Sequence, residues 1–121
     1  MELTLQSIKS GLFIKNYESH SLYIDDKIYR NNVLVTSAAV ENWNFNNKDN
    51  LDINDFSNVL DYKPEIIILG TGGSLVIPTS NIINNIQSQG IGFEFMITES
   101  ACKTFNLLVS ENRKVAAVLI L

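Results

Sequence analysis

The chain has 121 residues, 45% hydrophobic and 18% charged, a globular balance that argues against disorder and fits a single domain over residues 1–121. Its formal net charge is −4, and no stretch concentrates Lys and Arg, so the electrostatic footprint of a nucleic-acid binder is missing. The single cysteine, Cys102, excludes an internal disulfide framework and a cysteine-based zinc site.

In chain order, MELTLQSIKSG alternates apolar and polar residues from Leu3 to Ile8 and reads as a strand. It has no cationic head followed by an apolar run, so it is no secretory signal. Leu12 to Tyr17 continues the extended pattern. Ser21–Ile24 and Lys27–Tyr29 flank Asp25-Asp26, a hairpin turn of residues that tolerate turn backbone angles. Val33-Leu34-Val35 is a buried strand, and this half is predicted as a β-meander in which each strand pairs with its sequence neighbour. ENWNFNNKDN, Glu41 to Asn50, reads as a surface loop because Asn side chains compete for backbone hydrogen bonds. Trp43 and Phe45 either pin that loop or form a contact patch.

The rhythm then changes. Phe56, Val59 and Leu60 mark a short helix stopped before Pro64. Glu65 to Leu69 (EIIIL) is the continuous β-branched run of a strand covered on both faces. Pro78-Thr79-Ser80 opens a second helix with Ile82, Ile83 and Ile86 inward, ended by Gly90 in the left-handed conformation. Phe93 to Ile97 is a strand, and Thr98 caps a third helix carrying Ala101, Cys102, Phe105, Leu108 and Val109 inward. Val115 to Leu121 is the last strand. It is far shorter than the ~20 residues of a membrane-spanning helix. The chain is therefore expected to be cytoplasmic and not membrane-spanning. The fold class is α/β: one domain, a β-meander followed by a βαβαβ unit, with a mixed central sheet and packed helices.

Ligands in such sheets sit beyond the carboxyl ends of parallel strands. Two loops leave that edge, Gly70-Thr71-Gly72-Gly73 and Thr98-Glu99-Ser100, and the second enters a helix N-terminus that favours an anion. Against a phosphate cradle, no lysine follows the glycines, and Leu75 stands where a dinucleotide loop needs glycine. A structural turn and a small-ligand or anion crevice both stay open.

Glu94, inside FEFMI, is read as a carboxylate in a covered strand. It either faces that crevice or serves as partner to a backbone group or to Arg113. Cys102 is a packed core thiol or, one turn into its helix, an activated one. His20 is the sole histidine and lies in the meander, so catalytic triads and HExxH-type zinc sites are absent from the sequence. Asn106, a mediocre helix former in mid-helix, is expected to satisfy a specific hydrogen bond. No motif calls for a cofactor or a metal.

Several segments together resemble a known family. PEIIILGTG runs P-E through an apolar stretch into G-T-G. GIGFEFMIT fits G-I-G-x-E-x-M-x-T, ACKTFN fits A-C-x-T-[FY]-N, and ENRKV fits E-x-R-x-V. Upstream, IYRNNVLVTS is similar to a Y-x-x-S-x-L-V-x-P region, although Ala38 follows Ser37 where a proline is common. The chain thus resembles the largely uncharacterised domains that include the mitochondrial complex I assembly factor 3 and the adipogenesis-associated protein of animals. With no mitochondrial targeting segment before Met1, it looks like a bacterial-type member. The resemblance implies a single α/β domain and an accessory, non-catalytic role in assembling the NADH dehydrogenase complex. Its partners would be other proteins, such as NADH dehydrogenase subunits or membrane-insertion machinery. Gly70, Thr71, Gly72, Glu94, Thr98, Asn106, Glu111 and Arg113 carry the family pattern. The alternative is a small-molecule or anion-binding protein or enzyme. It would use a crevice formed by Gly70, Thr71, Gly72, Glu94, Thr98, Ser100, Asn106 and Arg113. Homo-oligomerisation stays open.

Overall fold

The computed structural model describes residues 12–45 and 47–121. The strand expected over Leu3 to Ile8 lies outside them. The strands are β1 (Ile14–Glu18), β2 (Ser21–Ile24), β3 (Lys27–Tyr29), β4 (Val33–Thr36), β5 (Val40–Asn42), β6 (Ile66–Gly70), β7 (Gly92–Met96) and β8 (Val115–Leu119). The helices are α1 (Ser57–Asp61), α2 (Ser80–Ser88) and α3 (Thr98–Ser110), with single 3-10 turns at Lys48–Asn50 and Ile53–Phe56.

Two sheets form: an antiparallel β1-β2-β3 and a mixed five-stranded β5-β4-β8-β6-β7. The expected meander holds for β1 to β3 but breaks there. β4 pairs antiparallel with β5 on one side and with β8 on the other, Val35 opposite Ala117. Its continuous apolar run, buried at every position, suits an interior strand of the central sheet. β5 runs two residues, Glu41 and Asn42, into the segment expected to be loop. β8, the last strand, is the middle of the sheet, antiparallel to β4 and parallel to β6.

Strand periodicity sorts the core into two layers. Val33, Val35, Ile66, Ile68, Val115, Ala117 and Leu119 face α3 and the small sheet, meeting Phe105, Ile14, Leu22 and Ile24. Leu34, Ile67, Leu69, Ala116 and Val118 face the other way, against Phe56, Val59, Ile82 and Ile86. Each fully buried Ile or Leu contributes roughly 1.5–3 kcal/mol. Ala116 and Ala117 leave room for the elements that cover the central strand on both faces. Trp43 is buried and its indole N–H donates to the Asp55 carbonyl at 2.8 Å, so the Asn-rich segment is pinned by its aromatics.

The crossovers explain why the helices lie on opposite faces. β6 to β7 steps toward one edge, whereas β7 to β8 steps back past β6, so two crossovers of the same hand deliver α2 and α3 to different sides. Thr79 caps α2 by accepting from the Ile82 amide, and Gly90 follows it at φ +79°.

One polar tie joins the small sheet to α3. The Asn106 carboxamide accepts from the Ile14 N–H at 3.0 Å and donates to the Ile14 carbonyl at 2.8 Å, as a neighbouring strand would. Asn106 is buried, which accounts for a poor helix former in mid-helix. Asn106→Ala leaves both backbone groups of Ile14 unpaired and should destabilise by about 2–4 kcal/mol. Urea unfolding should register this as a lower midpoint at unchanged slope; a midpoint within error of the parent would contradict it.

Candidate functional site

Where adjacent parallel strands send their connections to opposite faces, a crevice opens at their carboxyl ends. Here β6 leads over one face to α2, and β7 leads over the other into α3. The crevice between them is occupied by Thr98. Its hydroxyl accepts from the Gly72 N–H at 2.8 Å and donates to the Ile120 carbonyl at 2.6 Å. Its own N–H donates to the Gly72 carbonyl at 3.0 Å. On either side, Thr71 N–H donates to Met96 O at 2.8 Å and Ile120 N–H to Gly70 O at 2.9 Å, which carries the sheet ladder beyond its strands.

Thr98 is therefore not the cap of α3. Ile97 takes that position without a side-chain hydrogen bond, and the buried Thr98 hydroxyl is turned into the sheet end instead. The glycines follow from the same closure. A Cβ on Gly70 would stand 2.8 Å from Thr98 Oγ1 and 2.9 Å from Leu119 Cδ2. Gly72 sits at φ +92°, which L side chains rarely adopt. Thr71 laces the following loop, its hydroxyl donating to Ser74 O at 2.7 Å and accepting from Val76 N–H at 3.2 Å.

Of the remaining candidates, Ser100 is half-buried in the first turn of α3, and Glu94 is exposed. The expectation of a covered Glu94 is corrected: β7 is the edge of the sheet, so Glu94, on the α3 face in register with Ile68, is left exposed there. Arg113 precedes β8 at the opposite end of the sheet, about 16 Å away at ~3.3 Å per residue. Its guanidinium pairs with Glu65 at 3.4 Å, not with Glu94, and both side chains are largely exposed. Glu111, at the end of α3, is exposed as well. Asn106 bonds Ile14, away from the loop. The structure thus gathers Gly70, Thr71, Gly72 and Thr98, and disperses Glu94, Asn106 and Arg113.

The space beside this cluster lies on the α2 side. A cavity of about 40 Å³ is lined by Leu69, Thr71, Val76, Pro78 and Ile82 among others. That is room for a water or two, against about 300–1,000 Å³ for a small-molecule site. Outside it, Leu75 and Ile77 are 54% and 70% exposed. They belong to a segment, Ile66 to Phe93, without one ionisable side chain, so the outer face of α2 is built of Ser, Asn and Gln. That uncharged run was the available signal for this surface.

Cys102 is buried among Ala101, Phe105 and Ile68. Burial, with a smaller contribution from the nearby Glu99 carboxylate, pushes its thiol up to about 12. The packed reading of this residue holds, and an activated thiolate does not. Among the described residues no group of His, Cys, Asp or Glu could hold a metal ion, and no helix is long and apolar enough to cross a membrane.

Residues 14–120 match the profile of the family described as a protein of unknown function, DUF498/DUF598. The chain belongs to that family. It is 32% identical to the 13 kDa major membrane protein of Francisella tularensis subsp. holarctica (strain LVS), over 99% of each chain. It is also 32% identical to the NADH dehydrogenase (ubiquinone) 1 alpha subcomplex assembly factor 3 of Xenopus tropicalis, over 90% of this chain and 61% of that relative. The chain thus spans less than two thirds of that assembly factor. The fold matches a Mth938-like domain of Bordetella pertussis solved in solution, with a TM-score of 0.81 at 16% identity, covering 99% of this chain and 92% of that one.

Two predictions follow from the closure and from the thiol. Thr98→Val keeps the shape but strands Gly72 N–H and Ile120 C=O, and should cost about 2–4 kcal/mol, whereas Thr98→Ser should retain most of the stability. Equal losses in the two variants, measured by urea unfolding, would count against the hydroxyl. For Cys102 the unfolded chain releases the thiol proton near the ordinary value of 9.0 while the folded chain holds it to about 12. Stability should therefore fall as pH rises above 9, by about 1.4 kcal/mol per unit from Cys102, and the drop should shrink in Cys102→Ala to the part that Tyr17, whose pKa burial also raises, contributes above pH 10. Parallel stability curves of parent and variant above pH 9 would refute this.

Proposed function

We propose that this protein is a non-catalytic accessory factor that binds other proteins, and that the process it serves is assembly of the NADH dehydrogenase complex. The observation that carries the proposal is the match, over nine tenths of this chain, to relatives named as assembly factor 3 of that complex. The geometry supports the protein-binding part. The end of the sheet at Gly70, Thr71, Gly72 and Thr98 uses its hydrogen-bonding groups internally, so it offers few free donors to a small anion. Beside it, Leu75 and Ile77 stand out on an uncharged surface, and depletion of charge marks the centres of protein interfaces. The partner surface proposed is therefore the loop from Gly73 to Ile77 with the outer face of α2. A small-molecule crevice at the same loop has only the cavity of about 40 Å³ to recommend it.

Affinity capture of the tagged chain from its native cells tests the proposal, with a Leu75→Ser, Ile77→Ser double variant alongside. NADH dehydrogenase subunits should be recovered with the parent and lost, by tenfold or more, with the variant. Absence of those subunits would reject the assembly role. Recovery unchanged by the variant would reject the surface.

A further inference from the structure

A second concavity lies at the start of β4 and the end of β5, at the same end of the sheet as the glycine loop but across β8 from it, and it is independent of the accessory role. It has a volume of about 280 Å³ and a mainly polar lining of Arg30, Asn31, Asn32, Asn42 and Asn44, over the largely covered Trp43 and Phe45. Among the described residues no carboxylate side chain lines it. In a chain of net charge −4, this is a place where the one ionised side chain among the described lining residues is a cation.

The groups that shape the dish are fixed, and the groups that could meet a ligand are not used. The Asn32 carbonyl accepts from Trp43 N–H at 2.8 Å, and the Asn32 side-chain oxygen accepts from Leu121 N–H at 2.8 Å. That leaves the Asn32 NH2 to point elsewhere. Trp43 is held by its own indole bond to Asp55, and its ring lies 4.7 Å from that of Phe45. Among the described residues Arg30 forms no ion pair, and the side chains of Asn31, Asn42 and Asn44 form no hydrogen bond. Their carboxamides, each with two N–H donors to offer, stand around one guanidinium.

We propose that this dish binds a carboxylate, with Arg30 as its cation and the surrounding carboxamides as further donors. A guanidinium meets the two oxygens of a carboxylate with two parallel N–H bonds, and carboxamide N–H groups extend that donor array. The volume, at the lower end of ligand sites, limits the occupant to a small organic acid or to the terminal carboxylate of a peptide.

The test uses the full chain, because Trp43 is its only tryptophan and reports on the dish directly. Emission and the side-chain amide signals of the asparagines are followed while sodium succinate is added at constant ionic strength. N-acetyl-trialanine and its C-terminal amide are titrated in separate arms. Succinate, or the peptide acid but not its amide, should give a saturable change, and the arm that saturates identifies the source of the carboxylate. Neutral succinamide should give none. Arg30→Gln, an exposed substitution that should leave the melting temperature unchanged, should weaken binding by about tenfold or more. No saturation in either acid arm would overturn the proposal, as would an equal response in Arg30→Gln or to succinamide.

Discussion

The Thr98 hydroxyl is the junction on which the end of this sheet depends. It receives the Gly72 amide, which follows β6, and donates to the Ile120 carbonyl, which follows β8, while its own backbone begins α3. Three segments far apart in sequence are thereby fixed at one buried point. A hydroxyl is the smallest group that can accept and donate at once, and Gly70 is small enough to let it in. The crevice that doubly wound sheets offer to ligands is here used by the fold.

That closure sits at the end of a sheet whose central strand is the last in the chain. β8 pairs with β4 and β6, both distant from it in sequence, so much of the core is made of non-local contacts. The Asn106 carboxamide does for the small sheet what Thr98 does for the large one, supplying a strand-like partner to Ile14 from a helix. Both residues are polar, buried and fully bonded, the condition under which buried polar groups specify one arrangement. The two surfaces proposed for binding are exterior ones at that same end of the sheet, an uncharged apolar tip and a cationic dish.

Much of this was legible in the sequence because it is local. EIIIL announced a strand covered on both faces, the isoleucines of α2 kept helical spacing, and Asn106 stood out by its poor propensity. What was not legible is what depends on neighbours. A threonine ahead of a helix carries the signature of a cap, and only the distant Gly72 and Ile120 draw it away from that role. Glu94 looked buried because nothing in FEFMI says that β7 lies at an edge. β4 was assigned to a meander because sequence order favours adjacent pairing, whereas its unbroken burial suited the interior of the larger sheet. The sequence places Gly70 to Gly72 and Thr98 at one sheet edge through an argument about anions; in the structure the contact between them is a hydrogen bond of the fold.

Amide hydrogen exchange at Gly72 tests this account most directly, because a glycine-rich ligand loop and a structural closure differ most at that proton. Bonded to the buried Thr98 hydroxyl, the Gly72 amide should exchange as slowly as the amides of β8, at the rate set by global unfolding. Exchange as fast as that of the exposed Gly73 next to it would contradict the closure and return the loop to the status of an open binding site.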